Sequence, residues 1–231
     1  MYANKNREIN PIEKRVIEIT EDGSTTLKLT EFDEQFHSIH GAINESIHIY
    51  INAGLKFLGE REALKILEVG FGTGLNALLT LQNKGTHKID YHAIEAYPLQ
   101  EEEYKLLNYN LFIDNELNKD YHKIQQFDEG KWMNIHANFK LKVSVAKIEE
   151  IHLESDEYDL VYFDAFGPAV QPELWSEKVF EKIYHSMTKN SILVTYCSKG
   201  AVKRSLKGVG FEVLALPGPI GKREITRCLK K

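Results

Sequence analysis

Cysteine is nearly absent: Cys197 and Cys228 are the only two in 231 residues. Both fall in apolar, strand-like stretches, which predicts reduced, buried thiols and excludes a disulfide framework. Two lone cysteines also lack the ligand spacing of a structural zinc site. Long hydrophobic runs are missing too, and no window reaches the ~18 apolar residues that span a bilayer. The opening MYANKNREINPIEK has no signal-peptide core, so a loosely held polar start and a cytoplasmic protein without membrane contact are expected. Prolines number six, and no Pro/Ser-rich linker, repeat or low-complexity tract divides the chain. One globular unit is expected.

What is present is unevenly distributed. The formal charge is −5, yet Lys199–Lys231 holds nine Lys and Arg against Glu212 and Glu224, a local +7 that leaves −12 for the rest. Such a basic end suits a phosphate backbone, and equally suits a merely solvated face. VIEIT (16–20) and TLKLT (26–30) alternate like strands around an Asp22-Gly23 turn, the signature of a hairpin. Apolar residues then recur at helical spacing from Gly41 to Leu58.

Beyond residue 60, strand and helix patterns alternate. Strands are expected at 65–70, 90–96, 140–146, 158–166, 191–197, 211–218 and 224–230, and helices at Leu75–Lys84, Leu99–Phe112, Pro172–Met187 and Lys199–Val209. Near-continuous apolar strands alternating with helices predict an α/β fold with a parallel sheet covered on both faces. The five or so residues between the last two strands are too few for a parallel crossover, so that pair should be antiparallel. Seven strands ending in an antiparallel hairpin is the class I, Rossmann-like methyltransferase arrangement. The expected division is a hairpin-and-helix extension over 1–60 and the methyltransferase domain over 61–231.

The stretch KILEVGFGTGLNALLTL (65–81) puts Gly70, Gly72 and Gly74 where a strand meets a helix. Glycine there admits positive φ and close approach of a ligand at the strand's carboxyl end. A dinucleotide fingerprint would need its third glycine at position 75, which is Leu75. The run E-x-G-x-G-x-G resembles instead the first motif of S-adenosylmethionine-dependent methyltransferases. Gly70, Phe71, Gly72, Thr73 and Gly74 then form the cofactor bend, with Glu68 setting the field around the cationic amino group. Glu95, 25 residues past Gly70 at a strand end, is placed to accept a ribose diol. The third strand ends in Ala146 and Lys147 rather than an acid, so an adenine contact there would come from backbone or from elsewhere.

Asp164 ends an otherwise apolar strand in YDLVYFDAFGPAVQPELW, and Phe166-Gly167-Pro168 breaks the chain after it. A carboxylate at such a place is costly without compensation; it is either a catalytic acid or a cap for the following loop. Here the resemblance becomes specific. The blocks EDGSTTLKLTEFDEQFHSIHGAINESIHIYI, LEVGFGTGLNALLTL, FDAFGPAVQPELW and GAVKRSLKGVGFEVLALPGPIGKREITR resemble the methyltransferase domain of the MnmC family, over about 200 residues from Asp22 to Arg227. Ala165 and Gln171 stand where the family often has Gly and Asn.

That resemblance implies methyl transfer from S-adenosyl-L-methionine to the amine of 5-aminomethyl-(2-thio)uridine at the wobble position of tRNA. Asp164 would orient the amine and take its proton as the site closes. Phe166, Lys222, Arg223, Lys203 and Arg204 would meet substrate or tRNA. No FAD, no metal and no obligate protein partner are expected, because the flavin domain of bifunctional members has no counterpart in this sequence. Trp175 is read as a buried helix-face residue rather than a base-stacking one. The His37, His40, Glu45 and His48 group matches no familiar zinc spacing. Two alternatives remain open: a spermidine synthase-like aminopropyltransferase, and a non-catalytic cofactor-binding partner of another tRNA enzyme.

Overall fold

The computed structural model describes residues 15–231; the polar opening up to Lys14 lies outside the described residues. β1 (Arg15–Ile19) and β2 (Thr25–Leu29) form the expected antiparallel hairpin, and β3 (Glu34–Gln35) adds a short third strand. Its turn is tied by Asp22, whose Oδ1 accepts from Thr20 Oγ1 at 2.8 Å and from the Ser24 N–H at 3.0 Å. Asp22 Oδ2 accepts from the Asn44 N–H at 3.0 Å and so docks the hairpin on the next element.

The single helix expected over 41–58 is three pieces: α1 (Ala42–Ser46), a π-helical turn (Ile47–Asn52) and a 3₁₀ turn (Leu55–Leu58). The wider turn buries Ile49, Tyr50 and Ile51 consecutively, where a regular helix would show one of them to solvent. Gly54 follows it and permits a close approach to the Tyr50 carbonyl, which a side chain there would strike.

The main sheet comprises β4 (Ala63–Val69), β5 (Lys88–Glu95), β6 (Met133–His136), β7 (Phe139–Val145), β8 (Tyr158–Phe163), β9 (Met187–Thr195), β10 (Glu212–Pro217) and β11 (Glu224–Lys230). Its order is β10-β11-β9-β8-β4-β5-β7-β6. The seven expected strands are there, with β10–β11 antiparallel. The eighth is β6, an antiparallel edge partner of β7. Its Met-Asn-Ile-His alternation spans only four residues, of which Ile135 alone is buried, too short a pattern to announce a strand.

α2 (Leu75–Asn83), α5 (Glu177–Ser186) and α6 (Gly200–Val209) fall where expected, with Ser176 capping α5 after a 3₁₀ turn at Pro172–Trp175. The helix expected over 99–112 is cut to α3 (Glu101–Tyr104) and a 3₁₀ turn (Tyr109–Leu111). Asn108 is the reason: its Oδ1 accepts from the Thr25 N–H at 2.8 Å and its Nδ2 donates to the Gly23 carbonyl at 3.0 Å, pulling the chain out of helix onto the hairpin. α4 (Asn118–Gln125), unannounced in a polar stretch, buries Tyr121 and Ile124.

Two buried clusters cover the two faces of the sheet. The π-helical turn and α2 lie over Ile66, Tyr91 and Phe139 on one side; α5 and α6 lie over Leu67, Phe163 and Leu193 on the other. Cys197 and Cys228 are buried and free. No helix among the described residues is long and apolar enough to cross a membrane.

Candidate active site

The carboxyl ends of β4, β5 and β8 open into a cavity of about 720 Å³, roofed by Arg15, Phe36, His37 and Ser38 from the N-terminal segment. That volume suits a cofactor-sized ligand. Gly70 (φ +90°) and Gly72 (φ +51°) bend the chain away from β4. A Cβ on Gly70 would lie 2.5 Å from the Asp164 carbonyl, so β4 and β8 end in contact only because that residue has no side chain. Gly74 (φ +71°) caps α2 against Gln125, whose Nε2 donates to the Thr73 carbonyl at 2.6 Å.

Glu95 Oε2 accepts from the Gly72 N–H at 2.8 Å and Oε1 from the Tyr97 N–H at 2.9 Å. Both bonds leave further lone pairs on the cavity-facing carboxylate. Phe71, Thr73 and Ala146 also line the wall. Glu68 does not. It shares a face of β4 with Leu64 and Ile66, is fully buried beneath α2, and accepts from Asn76 Nδ2 at 2.9 Å. Burial holds its pKa well above the carboxylate range, with the Asn76 bond opposing. Contrary to the expected direct approach, Glu68 meets the cavity only through Asn76, which lines it and also bonds Asp164.

Asp164 stands at the cavity floor. Tyr50 OH donates to its Oδ1 at 2.5 Å and Asn76 Nδ2 to its Oδ2 at 2.8 Å. Burial pushes its pKa up to about 7 against those two bonds; the Glu45 charge raises it further and Lys222 opposes. A carboxyl poised there is protonated or ionised with little cost either way near neutral pH. Tyr50 and Asn76 were not singled out from sequence. Tyr50 is hidden in an apolar row, whereas Asn76, a polar residue on the first turn of an apolar helix, was a readable signal.

Above the floor, Phe36 meets Phe166 edge to face at 4.9 Å. Tyr196 OH donates to the Ala165 carbonyl at 2.9 Å, and Glu34, Glu45 and Lys222 complete this side. Trp175 is buried, its Nε1 donating to the Phe166 carbonyl at 2.8 Å, which leaves no face for a base. The basic residues separate. Arg204 and Arg223 are exposed, Lys203 pairs with Glu224 at 2.9 Å, and Lys222 turns into the cavity to meet Glu45 at 3.0 Å. Lys203 and Lys222 thus depart from the expectation of outward phosphate contacts.

The histidines do not converge. His37 Nδ1 bonds to Thr26 Oγ1 at 3.0 Å and burial lowers its pKa to about 4; His40 meets Glu21; His48 donates to the Pro217 carbonyl. No group of three His, Cys, Asp or Glu suited to a metal occurs among the described residues.

A family model described as S-adenosyl-L-methionine-dependent methyltransferase matches residues 113–231. The tRNA 5-methylaminomethyl-2-thiouridine biosynthesis bifunctional protein MnmC of Leptospira interrogans is 29% identical over 214 residues, covering 84% of this chain and 32% of that protein. The chain thus spans about a third of the length of that curated relative. The crystal structure of MNMC2 from Aquifex aeolicus matches with a TM-score of 0.71 at 27% identity, over 94% of this chain and 70% of that one. Spermidine synthase from Thermotoga maritima shares the fold, with a TM-score of 0.64 at 13% identity over 99% of this chain and 72% of that one. With the glycine bend, the cavity at the strand ends and this family match in one molecule, the chain belongs to the S-adenosyl-L-methionine-dependent methyltransferases.

Proposed function

We propose that this protein transfers a methyl group to the amine of 5-aminomethyl-(2-thio)uridine at the wobble position of tRNA. The observation that carries the reading is Asp164, held through both oxygens by Tyr50 and Asn76 on the floor of the cavity. The cavity fits the family's cofactor: Gly70 and Gly72 present bare backbone and Glu95 a fixed carboxylate. In this reading Gly70, Phe71, Gly72, Thr73, Gly74, Glu95 and Ala146 hold S-adenosyl-L-methionine, which supplies an electrophilic methyl when bound.

The chain's own task is to present a neutral amine. An alkylamine near pKa ~10.4 and an ordinary carboxyl near ~3.9 differ by roughly 9 kcal/mol in proton affinity. With Asp164 at about 7 the gap falls to about 5 kcal/mol. Positioning supplies energy of that order, ~7 kcal/mol or more in favourable cases. Asp164 therefore both orients the amine and receives its proton, while Tyr50 and Asn76 keep the carboxyl from rotating. The Phe36–Phe166 pair lines the cavity and offers an aromatic surface on which the flat base stacks. Arg204 and Arg223 meet the RNA backbone outside.

A second reading, aminopropyl transfer to a small polyamine, has the acids Glu34, Glu45 and Asp164 along one wall in its favour. Methyl-labelled S-adenosylmethionine with bulk tRNA lacking the terminal methyl separates the two. Label in tRNA is expected, and an Asp164→Ala protein should keep cofactor affinity while losing at least ~10-fold in turnover. Label leaving on sulfur as methylthioadenosine with none in tRNA, as aminopropyl transfer requires, or label confined to small amines or to protein, or full turnover by the Ala variant, sinks the proposal.

A further inference from the structure

The loop joining β10 to β11 is braced by the N-terminal segment. The His40 ring lies against Gly221, at φ +83°, and His48 Nε2 donates to the Pro217 carbonyl at 2.8 Å. So held, the loop delivers Lys222 Nζ to 3.0 Å from Glu45 Oε1 and 4.7 Å from the centroid of the Tyr196 ring. The fit is incomplete. The Glu45 side chain is only 10% exposed and its Oε2 accepts from the Ser38 N–H at 2.7 Å. Its Oε1 is enclosed without an aligned hydrogen bond despite the nearby ammonium. Glu34 lines the same wall, where burial raises its pKa and the Lys222 and Lys199 charges oppose that rise. An aromatic face flanked by carboxylates is the composition of a seat for an organic cation.

We infer that Glu34, Glu45 and the Tyr196 ring form a seat for an organic primary ammonium, filled in this structure by the protein's own Lys222, which the substrate's aminomethyl group displaces. The inference rests on the amine substrate proposed above and assigns where that amine is first held. A tethered lysine keeps the acids from facing one another uncompensated. It also competes with any incoming cation, and apparent affinity falls by the fraction of molecules whose seat is closed. A CH₂NH₃⁺ group on a flat ring brings stacking area that a lysine stem lacks.

Trp175 stands 6.0 Å from Tyr196, edge to face, and reports on the seat by fluorescence once the half-exposed Trp132 is replaced by Phe. The probe is benzylammonium, with benzyl alcohol as its neutral counterpart. In the Trp132→Phe protein the ammonium should bind in preference to the alcohol. Adding Lys222→Met should tighten ammonium binding about 10-fold, adding Glu45→Gln should weaken it about 10-fold, and the alcohol should not respond. Glu34→Gln replaces Glu45→Gln if the latter melts early. Unchanged or weaker ammonium binding in Lys222→Met, or equal binding of the alcohol, overturns the seat. The tRNA assay is read separately. Unlabelled tRNA with the ammonium responses intact removes the wobble-uridine substrate and keeps the seat; labelled tRNA without those responses removes the seat alone.

Discussion

Tyr50 OH and Asn76 Nδ2 each give Asp164 one hydrogen bond, and together they keep a buried carboxyl near pKa 7 rather than higher. The sign of the consequence follows. Below pH 7 the carboxyl carries a proton and has no capacity to take one from the amine, so kcat/KM for tRNA should fall as pH drops through about 7. Tyr50→Phe removes a bond to the ionised form, worth roughly 1–3 kcal/mol. Its limb should therefore move to higher pH, with turnover at pH 7 reduced several-fold and cofactor affinity retained. A pH–rate profile of the two proteins checks this, and a limb shifted downward contradicts it.

At the scale of elements, the site depends on two departures from regular structure. The π-helical turn aims Tyr50 at the end of β8, and the glycine bend lets β4 and β8 finish in contact. Gly70→Ala should cost at least ~2 kcal/mol, from a side chain at φ +90° and a clash with the Asp164 carbonyl. Urea unfolding should show that loss, and isothermal titration should show weakened binding of S-adenosylmethionine. The elements themselves were unequally legible. β4, β5, β8 and β9 carry apolar runs that fit a sheet buried on both faces, and β10–β11 was fixed by its short loop. The stretches over 41–58 and 99–112 have helical spacing, yet both break. Tertiary bonds from Asn108 to the hairpin, and the packing of three successive large residues at Ile49–Ile51, outweigh local preference there.

For the whole molecule, the basic end is less available than its +7 suggests. Lys203 pairs with Glu224, Lys230 with Asp156 and Lys231 with Glu212, Arg227 stacks on Phe57, and Lys222 is inside the cavity. Lys199, Arg204, Lys207 and Arg223 stay exposed. Replacing Arg204 and Arg223 by Glu should weaken tRNA binding and lower the slope of log affinity against log salt by about 1 per residue. Cofactor affinity should not change; equal loss of both would indicate misfolding instead.

The sequence by itself determined the alternation of strands and helices, the glycine bend at 70–74, and Glu95 and Asp164 at strand ends. Each is a local matter of side-chain period, backbone freedom and position along one strand. Only the tertiary structure decided that Glu68 lies beneath the cavity, that Tyr50 and Asn76 hold Asp164, and that Lys222 faces Glu45 and Tyr196 rather than solvent. Tyr50 and Asn76 lie 114 and 88 positions from Asp164, and Lys222 lies far along the chain from Glu45; direction across such separations is set by how packed elements turn their faces to one another, which no local pattern records.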